Sequence, residues 1–218
     1  GRIMSTQGPP SNKDIKILDG LSSIDYYTIV QSYPPSDYAS PIGERRKVTA
    51  MSLNVDQNFF RMYEFHFNEG RPISQADLES KTNSAVITDE LARGLFGKDK
   101  GVVGRDIRFQ NDTLHVVGVV KTGSKLASLS YSDIYRAHTN DEYRGCAVIM
   151  PKDGYNASDV RTEVQEAIAR FNTSNKEGDK MSAFRFPISH IQSVFDTNYE
   201  EEFTWVDIIR KYLIIVLA

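Results

Sequence analysis

The sequence has one cysteine, Cys146, in 218 residues. A single thiol cannot form an internal disulfide, and it excludes every zinc site that requires two thiolates. The sequence also lacks net positive charge, because 26 Lys and Arg residues face 29 Asp and Glu residues and give a formal charge of −3. Without a global positive field to neutralise phosphates, the chain is not expected to bind nucleic acid.

Long apolar runs are also missing. The longest, at residues 212–218, has seven residues, whereas roughly 20 are needed to span a bilayer. Residues 1–11 lack the charged and apolar segments of a signal peptide. The final run follows Trp205 and the cationic pair Arg210 and Lys211, a pattern typical of a membrane interface. It is therefore interpreted either as a terminal element docked on the core or as the first turns of a transmembrane helix.

No known catalytic motif is complete. Gly94, Gly97, Gly101 and Gly104 are dense enough to suggest a phosphate loop, but only two residues separate Gly94 from Gly97, and Lys98 is not followed by Ser or Thr. Helix termination and hairpin geometry explain these glycines better. A Lys-Thr-Gly tripeptide at 121–123 stands without its partner motifs.

The four histidines do not form a metal motif, since none has a second histidine three to five residues later. Glu64 and His66 offer at most two ligands. We therefore expect no catalytic residue, no cofactor-binding residue and no metal ligand, and hence no nucleotide or divalent-metal binding by this chain.

Patterns of apolar and turn residues predict a mixed α+β fold. Helices are predicted at 12–18, after Asp56, between Thr88 and Gly97, and from Ser158 onwards. Strands are predicted at 24–31, 46–55, 84–87, 104–109, 114–120, 143–150 and 181–188. The segments 34–43 and 121–140 are predicted to be loops, and 67–73 a turn. The last strand, helix and strand form a β-α-β unit.

Several short motifs occur together between residues 14 and 120. They are Asp14-Ile15, Leu21-Ser22-Ser23-Ile24, Val48-Thr49-Ala50-Met51, Asn58-Phe59-Phe60, Glu69-Gly70-Arg71-Pro72-Ile73, Ser84-Ala85-Val86-Ile87-Thr88, Leu91-Ala92, Leu95-Phe96-Gly97, Val103-Gly104-Arg105-Asp106-Ile107 and Val116-Val117-Gly118-Val119-Val120. In this order they resemble the periplasmic core domain of MacB-like and FtsX-like ABC transporter permeases. The residues singled out as a structural family motif are Phe59, Phe60, Gly70, Arg71, Gly97, Gly104 and Gly118.

The resemblance implies a two-lobed periplasmic domain. A porter-like split β-α-β lobe would comprise residues 12–55 and 142–195, and a smaller inserted α+β (Sabre-like) lobe residues 56–141. Residues 196–218 would form a stalk and the start of the second transmembrane helix. The domain would lie in the periplasm, attached to the bacterial inner membrane by flanking helices.

The function implied is that of a non-catalytic extracytoplasmic domain that transmits ATP-driven motion to a periplasmic substrate or partner protein. The implied partners are an ATP-binding subunit or domain, a second permease copy in a homo- or heterodimer, and a periplasmic adaptor or substrate protein. The alternative is a ligand-sensing domain of a membrane receptor, which two flanking membrane helices would also fit.

One segment is predicted to contact a partner protein. Apolar and aromatic residues lie in the polar stretch 124–135 without a helical or strand period, and such residues are enriched at contact surfaces. The alternative is that they hold a long loop onto its own lobe. The candidate partner-binding residues are Leu126, Leu129, Tyr131, Ile134 and Tyr135.

Overall fold

The computed structural model describes residues 12–31, 34–80, 82–123, 130–137 and 145–174. Its elements are, in order, α1 (Asn12–Ile15) with a 3-10 turn (Lys16–Leu18), β1 (Ile24–Gln31), β2 (Ser36–Pro41), β3 (Val48–Val55), α2 (Phe59–Met62), β4 (Phe67–Gly70), α3 (Gln75–Glu79), β5 (Ser84–Thr88), α4 (Asp89–Phe96), β6 (Asp106–Phe109), β7 (Asp112–Val120), β8 (Ile134–Ala137), β9 (Gly145–Pro151) and α5 (Ala157–Ser174). The α+β class is confirmed. The predicted strand at 181–188 and the predicted stalk at 196–218 lie outside the described residues.

Seven strands form the larger sheet, in the order β4-β7-β5-β8-β3-β2-β6. Because β6 pairs with β2 on one edge and with β7 on the other, the pairings of six of these strands close into a ring. Strand β4 pairs with the second half of β7, beyond the part that β6 occupies. The predicted hairpin is confirmed as β6 and β7.

The second sheet has two strands among the described residues. Strand β1 pairs antiparallel with β9, from Gln31 opposite Gly145 to Ile24 opposite Pro151. One face of this small sheet packs on α1 and α5 through a core that includes Ile15, Leu18 and Val160. Helix α5 confirms the predicted amphipathic helix.

Two cores lie on opposite faces of the larger sheet. Along β5, Ala85 and Ile87 face the core around α4, whereas Val86 faces an aromatic core. The aromatic core also contains Val30 of β1 and, packed against it, Val148 of β9. The small sheet and α4 are therefore on opposite sides of β5.

Local capping signals are confirmed for α4. The Thr88 hydroxyl accepts a hydrogen bond from Leu91 N at 3.3 Å, and Gly97 ends α4 with φ of 72°, a left-handed conformation that glycine adopts at low cost. The N-cap of α2 is Asn58 rather than the predicted Asp56, but Asp56 Oδ1 accepts bonds from Asn58 N and Phe59 N and so binds the first backbone donors of the helix.

Two predicted loops contain strands. The proline-rich segment 34–43 forms β2, in which Ala39 and Pro41 are buried between β3 and β6. The stretch 121–140 contains β8, which lies between β3 and β5. Residues 67–70 of the predicted turn form β4, although Gly70 has the expected positive φ, 75°.

Strand pairing differs from the predicted division into lobes at residue 55. The boundary at residue 55 assigned β2 and β3 to the lobe of β1 and β9, yet both pair only with strands of the larger sheet. No helix within the described ranges is long and apolar enough to cross a bilayer.

Candidate docking cleft

The segment predicted to contact a partner is only partly at the surface. Ile134 is 0% exposed and Tyr135 is 1% exposed, so neither is the exposed loop residue that the sequence predicted, although Tyr135 lines a cleft. The reason is β8, which has a paired strand on each edge and alternates its side chains between the two cores. Leu126 and Leu129 lie outside the described residues.

Tyr131 is half-buried and stays available at the surface. Its hydroxyl donates to Asp133 Oδ1 at 3.0 Å. Burial and the negative charge of Asp133 raise the pKa of Tyr131 to about 12. The side chain is therefore a neutral phenol near pH 7. Its aromatic ring is available for contact, and its hydroxyl is oriented by the hydrogen bond to Asp133.

The backbone around Tyr131 is fixed to the larger sheet. Ser132 Oγ donates to Met51 O at 2.8 Å, and Asp133 Oδ2 accepts from Met51 N at 2.8 Å. Thr88 N donates to the Asp133 carbonyl at 3.0 Å. Residues 132 and 133 are thus held between β3 and β5, and the Tyr131 ring is attached directly before this anchored segment.

A cleft of about 570 Å³ lies beside Tyr131. Its walls come from residues 62–66, 121–123 and 130–131, together with Tyr135. Phe65 lines it directly and packs on Tyr135 with ring centroids 5.1 Å apart. The hydroxyl of Tyr135 donates to Ser130 O at 2.9 Å, and burial raises its pKa above the ordinary value.

The rim of the cleft is polar. Glu64, His66 and Lys121 are exposed, and Thr122 is anchored by Asp89, whose Oδ1 accepts from Thr122 N at 2.9 Å and Oγ1 at 2.6 Å. Burial alone would raise the pKa of Asp89, but hydrogen bonds from Thr122 and Arg93 lower it. An aromatic floor with a charged rim is the composition of a protein-docking site.

The cleft was also compared with the requirements of a metal site. Among the residues that the structure describes, no three His, Cys, Asp or Glu side chains are grouped so that they could hold a metal ion. Glu64 and His66, the weak pair in the sequence, both line the cleft.

The glycines of the structural motif have backbone roles. At Gly70 a Cβ atom would overlap the carbonyl oxygen of Val117, and at Gly118 it would overlap that of Arg71. These two glycines face each other across β4 and β7, so the pair permits a close approach that no larger residue allows. Gly104 turns the chain into β6 with φ of 85°.

The other motif residues pack or form ion pairs. Phe59 is 0% exposed and contacts Phe60 and Tyr135 with ring centroids 5.6 Å apart in each case. The Arg71 guanidinium binds Asp77 through two hydrogen bonds of 2.6 and 3.0 Å, and this contact holds the pKa of Asp77 well below its usual range.

A second feature, which the sequence did not reveal, joins the two sheets. Asp56 follows β3 and accepts from Thr28 Oγ1 at 2.7 Å and Ile29 N at 3.2 Å. Asn58 Nδ2 donates to Tyr27 O at 2.9 Å. The side chains of Asp56 and Asn58 therefore form hydrogen bonds with backbone groups on one edge of β1, Ile29 N and Tyr27 O, as a neighbouring strand would. We call these contacts between β1 and residues 54–61 the β1 seam.

Further contacts extend the β1 seam at both ends. Gln31 Oε1 accepts from Asn54 Nδ2 at 2.7 Å. At the other end, Arg61 forms an ion pair of 3.0 Å with Asp25 and stacks on Tyr26, with its guanidinium carbon 3.7 Å from the ring centroid. The seam therefore runs along most of β1.

Helix α5 is tied to the entry of β1. Glu163 accepts bonds from Ser22 N, Ser22 Oγ and Ser23 N at 2.8, 2.9 and 2.8 Å. Hydrogen bonds from Ser23 and Ser22 lower the pKa of Glu163 to about 2. The small sheet, α5 and the β1 seam are thus connected by directional polar contacts as well as by apolar packing.

Similar folds occur in the extracytoplasmic parts of ABC transporters. The periplasmic region of MacB from Actinobacillus actinomycetemcomitans superposes with a TM-score of 0.64 and 15% identity, covering 77% of each chain. The extracellular domain of the ABC-type transporter YknZ from Gram-positive bacteria gives a TM-score of 0.62 and 16% identity, covering 79% of this chain and 87% of that one. At these identities the likeness shows a shared fold.

Sequence comparison identifies the family. The MacB-like periplasmic core domain matches residues 2–167, most of the chain, which therefore belongs to that family and is a periplasmic domain of a MacB-like ABC transporter permease. The macrolide export ATP-binding/permease protein MacB 1 of Yersinia pestis bv. Antiqua (strain Antiqua) is 26% identical over 170 residues. That match covers 71% of this chain and 25% of the relative, so the chain spans about a quarter of the length of this relative.

Proposed function

We propose that this domain transmits ATP-driven motion of an ABC permease to a periplasmic substrate or partner protein. The observation that carries the proposal is the β1 seam, which joins the small sheet to the larger sheet by polar contacts along most of a strand. Directional contacts of this kind resist sliding between packed layers better than apolar packing alone. A displacement of one sheet would thus be passed to the other.

The proposal assigns the two sheets to two lobes. The small sheet with α1 and α5 would be the porter-like lobe, and the larger sheet with α4 the Sabre-like lobe. Because β2 and β3 pair within the larger sheet, we place the crossing between the lobes at the connection from β1 to β2 rather than at residue 55. The strand predicted at 181–188 would extend the small sheet.

The partners proposed for the whole permease follow from the family. The relative named above is an ATP-binding/permease protein, so ATP hydrolysis would belong to a separate cytoplasmic domain or subunit, with a second permease copy completing the transporter. Inner-membrane attachment would come from helices flanking this domain. The alternative of a receptor sensor domain gains no support from the family match.

Labelled distances in the full-length permease test the transmission of motion. Spin labels at Glu166→Cys on α5 and Thr113→Cys on β7, with Cys146→Ser, would report on the two sheets, since both label sites are exposed. In a dimer, the same labels would also give the distance between the two small sheets and the distance between the two larger sheets. We expect nucleotide binding to shift those intercopy distances while the distance between the sheets of one copy is retained. Intercopy distances that ignore nucleotide would refute the proposal.

We also propose that the cleft beside Tyr131 receives a segment of a periplasmic adaptor or substrate protein. A photo-crosslinking residue at Tyr131 in the full-length permease should give a crosslinked product in cells, whereas the same residue at exposed Thr162 on α5 should not. Tyr131→Phe should retain partner capture and Tyr131→Ala should lose it, because the ring supplies the contact area. A Tyr131→Ala variant that loses thermal stability but keeps partner capture would show that Tyr131 only anchors its own loop.

A further inference from the structure

Positive charge is concentrated at the end of α4. Loops 42–47 and 97–105, together called the basic pole, carry six cations and two acidic residues, Glu44 and Asp99. The pole therefore has a formal charge of +4, whereas the whole chain has −3 and the remaining residues −7. The six cations are Arg45, Arg46, Lys47, Lys98, Lys100 and Arg105.

The two loops of the basic pole are held side by side. Arg46 Nη1 donates to Leu95 O at 3.2 Å, which joins loop 42–47 to the last turn of α4. The Arg105 guanidinium lies over the Phe96 ring, 5.1 Å from its centroid. Arg46 and Arg105 thus contact consecutive residues at the end of α4, so both loops lie at the same end of that helix.

Loop 97–105 is rigidly anchored beneath its exposed cations. Val102 is 0% exposed, and its backbone N donates to Glu69 Oε2 at 3.0 Å. Gly104 N donates to Val116 O at 2.9 Å. Lys98 and Lys100 therefore project from a loop whose backbone is already ordered, which lowers the entropy lost on binding.

The dipole of α4 explains only part of the positive charge of the basic pole. Cations at a helix C-terminus interact favourably with its carbonyl groups, and Arg46 makes that contact. The effect is limited to the last turn, however, and Arg45, Lys47, Lys98 and Lys100 form no ion pair within the described part of the chain. Lys47 Nζ lies over the Tyr38 ring, 5.9 Å from its centroid, so these four charges are not neutralised by carboxylates of the described residues.

Apolar side chains are exposed among the cations. Ile42 is 47% exposed and Val103 is 37% exposed. Ile42 N donates to Asp106 O at 3.3 Å, which places Ile42 next to the end of loop 97–105. A surface of cations with exposed aliphatic groups complements a ligand that combines carboxylates with apolar side chains.

The basic pole lies far from the small sheet. Lys47 immediately precedes β3, and Asp56 of the β1 seam immediately follows it. Strand β3 has eight residues, so at about 3.3 Å per residue its ends are roughly 23 Å apart. In the proposed function the small sheet connects to the membrane helices, and on that premise the pole is directed away from the bilayer. We propose that the basic pole binds an acidic, partly apolar segment of a periplasmic protein.

A labelled peptide tests this assignment with the 218-residue chain itself. The probe is a short peptide of alternating Glu and Leu pairs, and its binding is followed by fluorescence anisotropy at low salt. Lys98→Glu combined with Lys100→Glu should weaken binding about tenfold or more. The control, Lys152→Glu combined with Arg170→Glu, changes the net charge equally on exposed residues elsewhere and should retain wild-type affinity. Circular dichroism checks that both variants are folded.

Three outcomes would overturn the proposal. Absence of peptide binding would remove the basic pole as a protein-docking surface. Equal weakening by both double variants would show that net charge, rather than the pole, attracts the peptide. Binding to phosphatidylglycerol vesicles without binding to the peptide would identify a membrane-surface contact instead. None of these results depends on nucleotide-driven motion, so the proposed transmission role is tested separately.

Discussion

Asp56 provides a direct test of the β1 seam. Replacement by alanine removes the acceptor of four hydrogen bonds, those from Thr28 Oγ1, Ile29 N, Asn58 N and Phe59 N. Loss of a helix cap costs about 1 kcal/mol, and a buried donor left without a partner costs about 1–3 kcal/mol. Thr28 is 0% exposed, so water cannot readily replace the carboxylate there. We expect Asp56→Ala to lower the free energy of unfolding by about 2–4 kcal/mol.

Asparagine removes the charge of Asp56 and keeps one of its two acceptor oxygens. Burial raises the pKa of Asp56 above 3.8, although hydrogen bonds from Thr28, Ile29, Phe59 and Asn58 oppose the shift. A raised pKa means that the folded protein holds a proton that the unfolded chain releases, so the stability contributed by this group is present at low pH and is lost as pH rises through the folded pKa. Asparagine would keep Oδ1 as the acceptor for Thr28, Asn58 and Phe59, but its amide NH2 would replace Oδ2 and face the donor Ile29 N. Asp56→Asn should therefore cost about 1–2 kcal/mol at neutral pH, less than Asp56→Ala.

Urea unfolding of the 218-residue chain, followed by circular dichroism, measures both effects. The control is Asp153→Ala, which removes an exposed carboxylate in a turn and should change stability by less than about 0.5 kcal/mol. If Asp56→Ala is as mild as the control, the seam does not depend on this acceptor. If Asp56→Asn is as damaging as Asp56→Ala, the three bonds to Oδ1 add little, and the estimate based on them is wrong.

Three further perturbations have defined outcomes. Arg71→Ala should lower the free energy of unfolding by about 2 kcal/mol at neutral pH, measured by urea unfolding. Because Arg71 is the main group that lowers the pKa of Asp77, this loss of stability should shrink as the pH falls below 3.8. A loss that does not change with pH would contradict the ion-pair explanation. Glu163→Gln should speed hydrogen exchange at Ser22 N, and the difference from wild type should persist above pH 4.5 and fade towards the Glu163 pKa of about 2. In the full-length permease, Asp207→Pro in the predicted stalk should keep ATP binding and a folded porter lobe but lose transport, because proline costs a helix about 3 kcal/mol. Asp207→Ala is the control and should be tolerated. Wild-type function of the proline variant would show that this segment, which lies outside the described residues, is only a tether.

Short-range rules account for the elements that the sequence predicted well. Thr88 and Gly97 delimit α4 because capping and left-handed termination depend on a few consecutive residues. Helix α5 repeats apolar residues over 18 positions, which is long enough for its period to be unambiguous. Strand β1 has the predicted bounds because six of its eight residues are β-branched or aromatic.

Tertiary pairing determines the elements that the sequence missed. Strand β8 has only four residues, too few for a recognisable period, and it exists because β3 and β5 supply hydrogen bonds on both edges. Its burial removes Ile134 and Tyr135 from the surface where the sequence placed them. The β1 seam was equally hidden, because Thr28 and Asp56 are 28 positions apart in sequence and nothing local distinguishes this half-buried carboxylate from an exposed one.

Strand β3 runs from the basic pole at Lys47 to the β1 seam at Asp56. It pairs with β2 on one edge and β8 on the other, and its last four residues, 52–55, are all buried. A strand fixed on both edges and packed on both faces has little freedom to bend, because close-packed interiors transmit strain rather than absorb it. A partner that displaces the basic pole would therefore move Asp56 with it, and the hydrogen bonds of Asp56 would carry the displacement into β1. Under the proposed function the same path would also work in reverse, so that motion delivered to the small sheet from the membrane would reach a partner bound at the pole.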